Sequence, residues 1–412
     1  MSESPDRRDI LILFAVLATA TFAAPATPAL AEPKRQSFPA WVEAFRSRAR
    51  ARGISDSTYT SVMAGLEPDT RVYALDRAQP EFREVLWQYL NRRVSDWRIR
   101  IGKQRAEEHA GLLGRIEKDF GVDRHVMLGL WGMESAYGEV IDNPNHMRPV
   151  MPALAALAWG EPRRRTYWER ELLNALVIID RGWGKPAEML GSWAGAMGHT
   201  QWMPEVWLNM GLDYDRDGRI SPFGKPDDAL AGTAQFLLKR GRYVRGQPWG
   251  YEVRAPASLP AQDRTMAPIS SWQARGVVSA DGRPFADPSI RARLWRPVAG
   301  GPAFLLTQNF NAVRSYNPAD SYALAIVHLG DRVRGDGPFM QPFPGGERIM
   351  TIEEIQEMQR RLTAAGFDTA GTDGRVGQGT MRAVRAFQRR EGLTPADGYP
   401  GLQVLTRLRT GQ

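Results

Sequence analysis

The sequence predicts a mainly α-helical protein built from two folded parts. Between residues 41 and 329, apolar residues recur at steps of three and four, which places them on one face of an α-helix, and few runs alternate with period two. A Gly- and Pro-rich stretch at residues 335–346 interrupts this pattern and is typical of a linker. A shorter set of helical patterns follows it.

The first 31 residues have the composition of an export signal. Arg7 and Arg8 precede an uncharged, mostly apolar run over residues 10–24, and the tripeptide Ala29-Leu30-Ala31 is typical of a cleavage site. The run is shorter than the ~20 residues that a membrane-spanning helix needs, so an uncleaved anchor is the weaker alternative. The paired arginines also fit twin-arginine export. We expect cleavage after Ala31 and an exported mature protein.

Composition narrows the classes of function. The chain has 412 residues, a formal net charge of +8 and no cysteine. Disulfides, thiol catalysis and lipid attachment through cysteine are therefore excluded. Removal of residues 1–31 raises the formal charge by one, to +9. A basic exported protein suits an anionic polymer such as a cell wall. The sequence contains no strong nucleic-acid motif, and the export signal argues against nucleic acid as a partner.

Four segments of the larger part predict helices from apolar spacing. They lie at residues 82–90, 112–120, 126–133 and 167–179. Gly121 and Gly182 follow the second and the fourth, where glycine commonly ends a helix. The third is apolar on most of its faces, so we expect it to be buried. Residues 242–310 are rich in Pro and Gly and predict a more irregular subdomain with short strands.

One carboxylate stands out at the end of the helix that we expect to be buried. Glu134 lies in a run of apolar, small and aromatic residues over 128–138. Such surroundings disfavour the charged form and raise the pKa of a carboxyl group, as a general acid near neutral pH requires. A solvated or capping glutamate is the ordinary alternative. The export signal and a second cluster of site-like residues favour the catalytic interpretation.

The second cluster occupies residues 191–204. Its three glycines let a ligand or another backbone approach closely, while Ser192, Gln201 and Trp202 offer hydrogen bonds and a flat apolar face. Sugars need this combination, because their ring faces stack on aromatic side chains and their hydroxyls take directional hydrogen bonds. A tight contact between helices explains the same composition equally well.

Residues 213–221 match the first nine positions of an EF-hand calcium loop. Acidic side chains stand at the first, third and fifth positions and glycine at the sixth. The twelfth position is Gly224, so Asp228, or alternatively Asp227, must supply the last carboxylate. The predicted ligands of a structural calcium ion are Asp213, Asp215, Asp217, Arg219 and Asp228. An Asx-rich turn without metal is the alternative, although converging carboxylates repel one another without a cation.

The C-terminal part predicts a small module of three helices. Apolar residues recur at helical spacing over 352–362, 380–387 and 402–408, with glycine-containing turns between them. The module contains no obvious catalytic residue. By periodicity alone it is an ordinary helical accessory domain.

Several of these motifs occur together in known families. Through segments 132–138, 191–198 and 201–204, supported by 79–82, 314–317 and 321–323, the chain resembles the membrane-bound lytic transglycosylase B family over residues 37–333. This resemblance implies a lysozyme-like helical catalytic domain with a deep groove. Residues 350–409 resemble the peptidoglycan-binding domain type 1 family, which implies anchoring on the wall and leaves residues 334–349 as a linker.

The resemblance implies a reaction on peptidoglycan. The family cleaves the β-1,4 bond between N-acetylmuramic acid and N-acetylglucosamine without water and leaves a 1,6-anhydro sugar. Glu134 would protonate the glycosidic oxygen and then act as base on the muramyl 6-hydroxyl, while Ser192 would orient the N-acetyl group. The positions implied to bind the sugar or line the groove are Ser192, Gln201, Trp202, Met203, Tyr316, Asn317 and Tyr322. No cofactor is expected for catalysis.

Two other interpretations are open at this point. Ordinary glycosidases use two carboxylates, and Glu139 or Glu169 would be the second one in a lysozyme-type hydrolase. A non-catalytic wall-binding protein would also explain the C-terminal module. The missing lipobox cysteine departs from lipid-anchored members of the family and favours a soluble periplasmic form. The expected partners are peptidoglycan glycan strands, with other cell-wall enzymes left open and no nucleic acid.

Overall fold

Helices dominate the part of the chain that the structure, a computed structural model, describes: residues 36–77, 85–144 and 146–411. The prediction of a mainly α protein is confirmed. The predicted export signal at residues 1–31 and the motif at 79–82 lie outside the described residues. Among the helices within them, none combines the length and apolar character needed to cross a bilayer.

Fourteen α-helices belong to the larger part within these described ranges. In chain order they are α1 (Phe38–Ala51), α2 (Asp56–Met63), α3 (Val72–Arg77), α4 (Leu86–Arg93), α5 (Asp96–Glu108), α6 (Ala110–Phe120), α7 (Arg124–Ser135), α8 (Val150–Gly160), α9 (Arg165–Asp180), α10 (Pro204–Met210), α11 (Asp227–Lys239), α12 (Ile269–Ala274), α13 (Gln308–Arg314) and α14 (Asp320–Arg334). The predicted helices correspond to α4, α6, α7 and α9, although residues 82–84 of the first one lie outside the described residues. As predicted, α6 ends at Gly121, whose φ of 73° is left-handed.

Helices α7 and α14 pack against each other with their backbones in contact. A Cβ atom added to Gly129 of α7 would overlap the carbonyl oxygen of Ile326, and one added to Gly330 of α14 would overlap that of His125. These pairs run in opposite directions along the two helices, so the helices are antiparallel. Asp123 begins α7 by accepting the backbone N–H groups of His125 and Val126. Helix α7 is buried along most of its length, as its composition predicts.

The irregular subdomain is built around a small antiparallel sheet. Strands β1 (Arg148–Pro149) and β2 (Leu190–Gly191) pair separately, near the start of the glycine-rich stretch. Strands β3 (Gly250–Arg254), β4 (Ala267–Pro268), β5 (Val278–Ser279), β6 (Arg291–Trp295) and β7 (Ala303–Leu306) form a sheet of order β4-β6-β7-β3-β5. Leu305 of β7 lies opposite Tyr251 and Leu294. Helix α12 covers this sheet with the buried Trp272.

Three helices, α15 (Ile352–Ala364), α16 (Gln378–Arg390) and α17 (Leu402–Thr410), form the predicted C-terminal module. Thr351 and Glu354 close the start of α15 with a capping box, in which each side chain accepts the backbone N–H of the other residue. Met358, Leu362 and Leu405 are fully buried between the helices. The module therefore has a hydrophobic core of its own.

The C-terminal module rests on helices α4 and α5 of the larger part. Gln88 donates a hydrogen bond to Asp397 over 2.9 Å, and the backbone N–H of Ile352 donates to Asp96 over 3.2 Å. The guanidinium group of Arg375 lies 4.3 Å from the ring centre of Trp97. These contacts are polar and aromatic, in contrast to the close backbone contact between α7 and α14.

Candidate active site

Glu134 lies in the last turn of α7, where its carboxyl group meets the first turn of α14. The hydroxyl of Tyr322 donates a hydrogen bond to its Oε1 atom. Burial, followed by the nearby charge of Glu134, raises the pKa of Tyr322 well above its usual value. The phenol therefore stays protonated and donates to the carboxyl group. A hydrogen bond from this buried position fixes the orientation of the carboxyl group.

The chain turns sharply directly after this glutamate. Ala136 and Tyr137 adopt left-handed φ angles of 52° and 61°, a conformation that costs non-glycine residues about 1–3 kcal/mol each. Ser135 stabilises the turn, because its Oγ atom donates to the carbonyl of His199 over 2.6 Å and accepts the N–H of Gly138 over 2.9 Å. Such local strain is concentrated at functional sites.

The glycine-rich stretch folds into a compact loop beside α7. Met197 forms backbone bridges with both Gly191 and Trp202. Gly198 has a φ of 71°, and a Cβ atom there would overlap the carbonyl oxygen of Pro222. Gly198 therefore allows a close contact between the backbones of two loops, which differs from the contact between helices that the composition also permits.

Two predicted sugar-binding residues on this loop are partly exposed. Ser192 accepts the backbone N–H of Ala196 at its Oγ atom over 3.2 Å. Gln201 adopts a φ of 53° and donates from Nε2 to the carbonyl of Gly198 over 3.0 Å. Both side chains are held by their own loop, and their contact with a sugar stays a prediction.

Tyr316 joins this loop to the surroundings of Glu134. Its hydroxyl donates to the carbonyl oxygen of Thr200 over 2.6 Å. Burial, followed by the charge of Glu134, raises the pKa of Tyr316 above its usual value. Asn317 follows at a partly exposed position. The structure thus brings Glu134 together with two tyrosines that lie far away in the sequence.

The structure corrects the expectation that Trp202 lines the groove. Its side chain is 0% exposed, and the indole N–H donates to the hydroxyl of Thr233 over 2.9 Å. The ring packs against Gly232 of α11, where a Cβ atom would lie 2.5 Å from it. Its large apolar surface is buried in the core below the loop. Met203 is partly exposed, so its role in the groove stays a prediction.

Both alternative carboxylates form ion pairs with arginine. Glu139 is exposed and lies 3.1 Å from Arg105. Glu169 is buried on α9 and pairs with Arg48 of α1. The phenol of Tyr322 donates to Glu134, and this contact distinguishes Glu134 from both of them.

The predicted calcium loop brings three carboxylates together. Oxygen atoms of Asp213, Asp215 and Asp217 all lie within 4.8 Å of one another. The backbone N–H of Arg219 donates to Asp217 over 2.9 Å, and Lys225 lies 3.3 Å from Asp215. Three converging carboxylates are the oxygen ligands that Ca²⁺ prefers, so this donor set fits the ion.

Asp228 has a different place from the one that the loop pattern predicts. It is 5% exposed, and its two carboxylate oxygens accept the backbone N–H groups of Tyr214 over 2.7 Å and Ser221 over 2.9 Å. It stands outside the group of three converging carboxylates. Asp228 therefore closes the base of the loop from the first turn of α11. The alternative residue, Asp227, faces Arg115 at 3.8 Å.

His199, which no pattern in the sequence singled out, lies at the centre of this region. The ring accepts from Trp131 of α7 and contacts the carbonyl of Gly224, residues that lie 68 and 25 positions away. No ligand spacing or catalytic motif marks a histidine of this kind. Its position two residues before Gln201 is the signal that would have suggested it.

Both parts of the chain match known families. Residues 37–331 match the transglycosylase SLT domain family, and residues 351–408 match a peptidoglycan binding domain family. The chain is 28% identical over 228 residues to membrane-bound lytic murein transglycosylase B of Escherichia coli (strain K12). The match covers 55% of this chain and 61% of that protein, which is less than two thirds of its length.

Solved structures extend the similarity to both parts of the chain. SltB3 from Pseudomonas aeruginosa, in complex with NAG-anhNAM-pentapeptide, is 40% identical, with a TM-score of 0.71 over 91% of this chain and all of that one. The lytic transglycosylase Slt35 of Escherichia coli, in complex with calcium, is 24% identical and has the same fold, with a TM-score of 0.62 over 71% of this chain and 92% of that one. This chain therefore belongs to the transglycosylase SLT domain family.

Proposed function

We propose that this protein is a peptidoglycan lytic transglycosylase in which Glu134 acts as acid and then as base. The observation that carries the proposal is the hydrogen bond from buried Tyr322 to Glu134 at the junction of α7 and α14, in a chain of this family. A single carboxyl group in a fixed orientation suits a reaction in which the same group first gives one proton and then accepts another.

The first step breaks the β-1,4 bond between N-acetylmuramic acid and N-acetylglucosamine. Oε1 of Glu134 accepts the phenolic hydrogen, so the acidic proton resides on Oε2. Glu134 gives this proton to the glycosidic oxygen, which leaves with the electron pair of its bond to C1. The N-acetyl carbonyl of the muramyl residue, oriented by Ser192, stabilises the positive charge that develops at C1.

The second step closes the sugar on itself. The carboxylate of Glu134 removes the proton of the muramyl C6 hydroxyl, and the oxygen forms a bond to C1. The product is a 1,6-anhydro sugar, Glu134 is protonated again by the proton of the C6 hydroxyl, and no water is consumed. Tyr322 stabilises the carboxylate between the two steps, because a hydrogen bond to a charged acceptor is stronger than one to a neutral acceptor. Gln201, Met203, Tyr316 and Asn317 hold the glycan strand.

The C-terminal module, in this proposal, anchors the enzyme on the wall. Anchoring raises the effective concentration of glycan at the catalytic domain without any new contact there. The enzyme works in the periplasm after cleavage at Ala31. Cell fractionation and N-terminal sequencing of the mature protein test this location, and a mature chain that begins before residue 20 or stays in the cytoplasm would contradict it.

We also infer that Asp213, Asp215, Asp217 and the carbonyl of Arg219 hold a structural Ca²⁺ ion. The ion would neutralise the converging carboxylates and fix the loop, while it supplies nothing to the chemistry. The expected result is a higher melting temperature in Ca²⁺ than in Mg²⁺, which Asp215→Asn abolishes and the neighbouring Asp227→Asn leaves intact. Equal melting temperatures in the two ions would contradict the inference.

Mass spectrometry of fragments released from purified peptidoglycan tests the reaction itself. Fragments that end in 1,6-anhydro-muramic acid, about one water lighter than hydrolytic products, are expected. Glu134→Gln should abolish their release while the variant still sediments with peptidoglycan. Reducing muramic ends would mean hydrolysis, and a folded Glu134→Gln variant with normal turnover would exclude Glu134 as the catalytic residue.

A further inference from the structure

His199 joins the helix that carries Glu134 to the acidic loop, which is the predicted calcium loop of residues 213–221 with its three converging carboxylates. Its side chain is buried, with 6% of its surface exposed. Nδ1 lies 3.2 Å from the indole nitrogen of Trp131, and Nε2 lies 2.8 Å from the carbonyl oxygen of Gly224. Trp131 is on α7, three residues before Glu134, while Gly224 lies between the acidic loop and α11.

The partners of the ring determine where its proton resides. An indole N–H only donates, so Nδ1 of His199 accepts and carries no hydrogen. Nε2 then carries the hydrogen and donates it to the carbonyl of Gly224. Burial lowers the pKa of His199, which keeps the ring in the neutral form that both bonds require.

The backbone of His199 also joins the end of the acidic loop to the end of α7. Its N–H donates to the carbonyl of Pro222 over 2.9 Å, and its carbonyl accepts the hydroxyl of Ser135 over 2.6 Å. Four hydrogen bonds of one residue thus join Trp131 and Ser135, on either side of Glu134, to the end of the acidic loop. Gly138 packs on the ring, since a Cβ atom there would lie 2.8 Å from Cε1.

From this arrangement we propose that His199 is a positioning residue that couples the acidic loop to the C-terminal turn of α7 and so sets the orientation of Glu134. The proposal rests on the proposed function for its effect on catalysis. It does not require His199 to touch the substrate. It predicts an effect on kcat, because a misaligned acid slows bond cleavage more than it weakens the binding of a long glycan.

Two substitutions separate the two ring bonds. His199→Asn retains an acceptor near the position of Nδ1 and loses the donor to Gly224, whereas His199→Gln retains a donor near the position of Nε2 and loses the acceptor for Trp131. We expect His199→Gln to lower kcat about tenfold with KM within about twofold of the original, since one buried hydrogen bond is lost. His199→Asn should retain more of the turnover. His125→Gln, at the opposite end of α7, is the control and should leave kcat unchanged.

A double-mutant cycle identifies the bond that matters. Trp131→Phe removes the donor, so its effect on kcat should not add to that of His199→Gln. Additive losses, an increase in KM at unchanged kcat, or normal kcat in both His199 variants would overturn the proposal. Circular dichroism and melting curves establish that each variant is folded, and rates are normalised to folded protein.

A measurement without substrate distinguishes failure of this proposal from failure of the proposed function. The indole N–H resonance of Trp131, assigned with Trp131→Phe, reports its hydrogen bond to His199. Asp228→Ala releases the loop at its base and should shift this resonance in the original chain but leave it unmoved in the His199→Gln background. An unshifted resonance in the original chain would overturn the coupling, whether or not the protein cleaves peptidoglycan.

Discussion

Tyr322 donates its phenolic hydrogen to Oε1 of Glu134, so the carboxyl group at the end of α7 is held from the start of α14. Tyr322→Phe removes this hydrogen bond and retains the ring. We expect kcat to fall about 10- to 100-fold, because a hydrogen bond to a charged group contributes about 1.5–3 kcal/mol. Product release from purified peptidoglycan measures the effect, and an unchanged kcat would show that the phenol has no part in the reaction.

The contact between α7 and α14 predicts a large difference between two glycine substitutions. Gly129→Ala places a methyl group on the carbonyl of Ile326 and should lower the free energy of unfolding by about 3 kcal/mol. Gly114→Ala, inside α6, meets its nearest atom at 3.7 Å and should raise stability by up to about 1 kcal/mol, since alanine favours helices. Urea titration measures both, and similar values for the two would contradict the backbone contact.

The buried position of Trp202 predicts an effect on stability rather than on binding. Trp202→Phe leaves the hydroxyl of Thr233 without its indole donor and should cost about 1–3 kcal/mol of stability at unchanged KM. Met203→Ala is the matched comparison, because the partly exposed methionine should raise KM with a smaller loss of stability. A higher KM for Trp202→Phe would instead show that the tryptophan contacts the substrate in the groove.

Glu171 predicts a dependence of stability on pH. Burial raises the pKa of Glu171 to about 7, and its carboxyl group accepts the backbone N–H of Glu205 over 3.0 Å. The folded state therefore retains a proton that the unfolded chain loses near its ordinary value of 4.5. The contribution of the protonated group is complete below about pH 4.5 and is lost as the pH rises to about 7, about 3 kcal/mol in all.

Glu171→Gln should remove this dependence and stabilise the protein at neutral pH, because the amide is neutral and its oxygen still accepts the N–H of Glu205. Urea titrations between pH 4.5 and 8 measure it. Glu188→Gln, which changes an exposed carboxylate on the loop after α9, serves as control and should leave the pH profile unaltered. A profile for Glu171→Gln parallel to that of the original chain would refute the prediction.

Local patterns in the sequence predicted seven of the seventeen helices in the described part of the chain by position. Gly121 ends α6, and Asp123 begins α7 ahead of the apolar residues of that helix. Each of the two acts on backbone groups within a few residues, so a short stretch of sequence specifies the boundary. The C-terminal module was predicted for the same reason, and its capping box at Thr351 lies entirely within four residues.

Contacts between distant residues could not be predicted in this way. Glu134 and Tyr322 are 188 positions apart, and only the resemblance to a family placed both in one site. Trp202 was assigned to the groove because an aromatic ring beside glycines fits a sugar and a core equally well, and the position of α11 decides between them. Asp228 was assigned to the ion, whereas the need to satisfy two backbone N–H groups holds it at the base of the loop.

The glycine contacts between α7 and α14 determine how the enzyme loses activity on heating. The acid and the phenol are attached to two helices whose main chains touch in the interior, so local fraying of a surface loop does not separate them. Separation of the pair requires the whole domain to open. Inactivation and global unfolding should therefore share one temperature, and the amide hydrogens of residues 126–133 should be among the last to exchange with solvent.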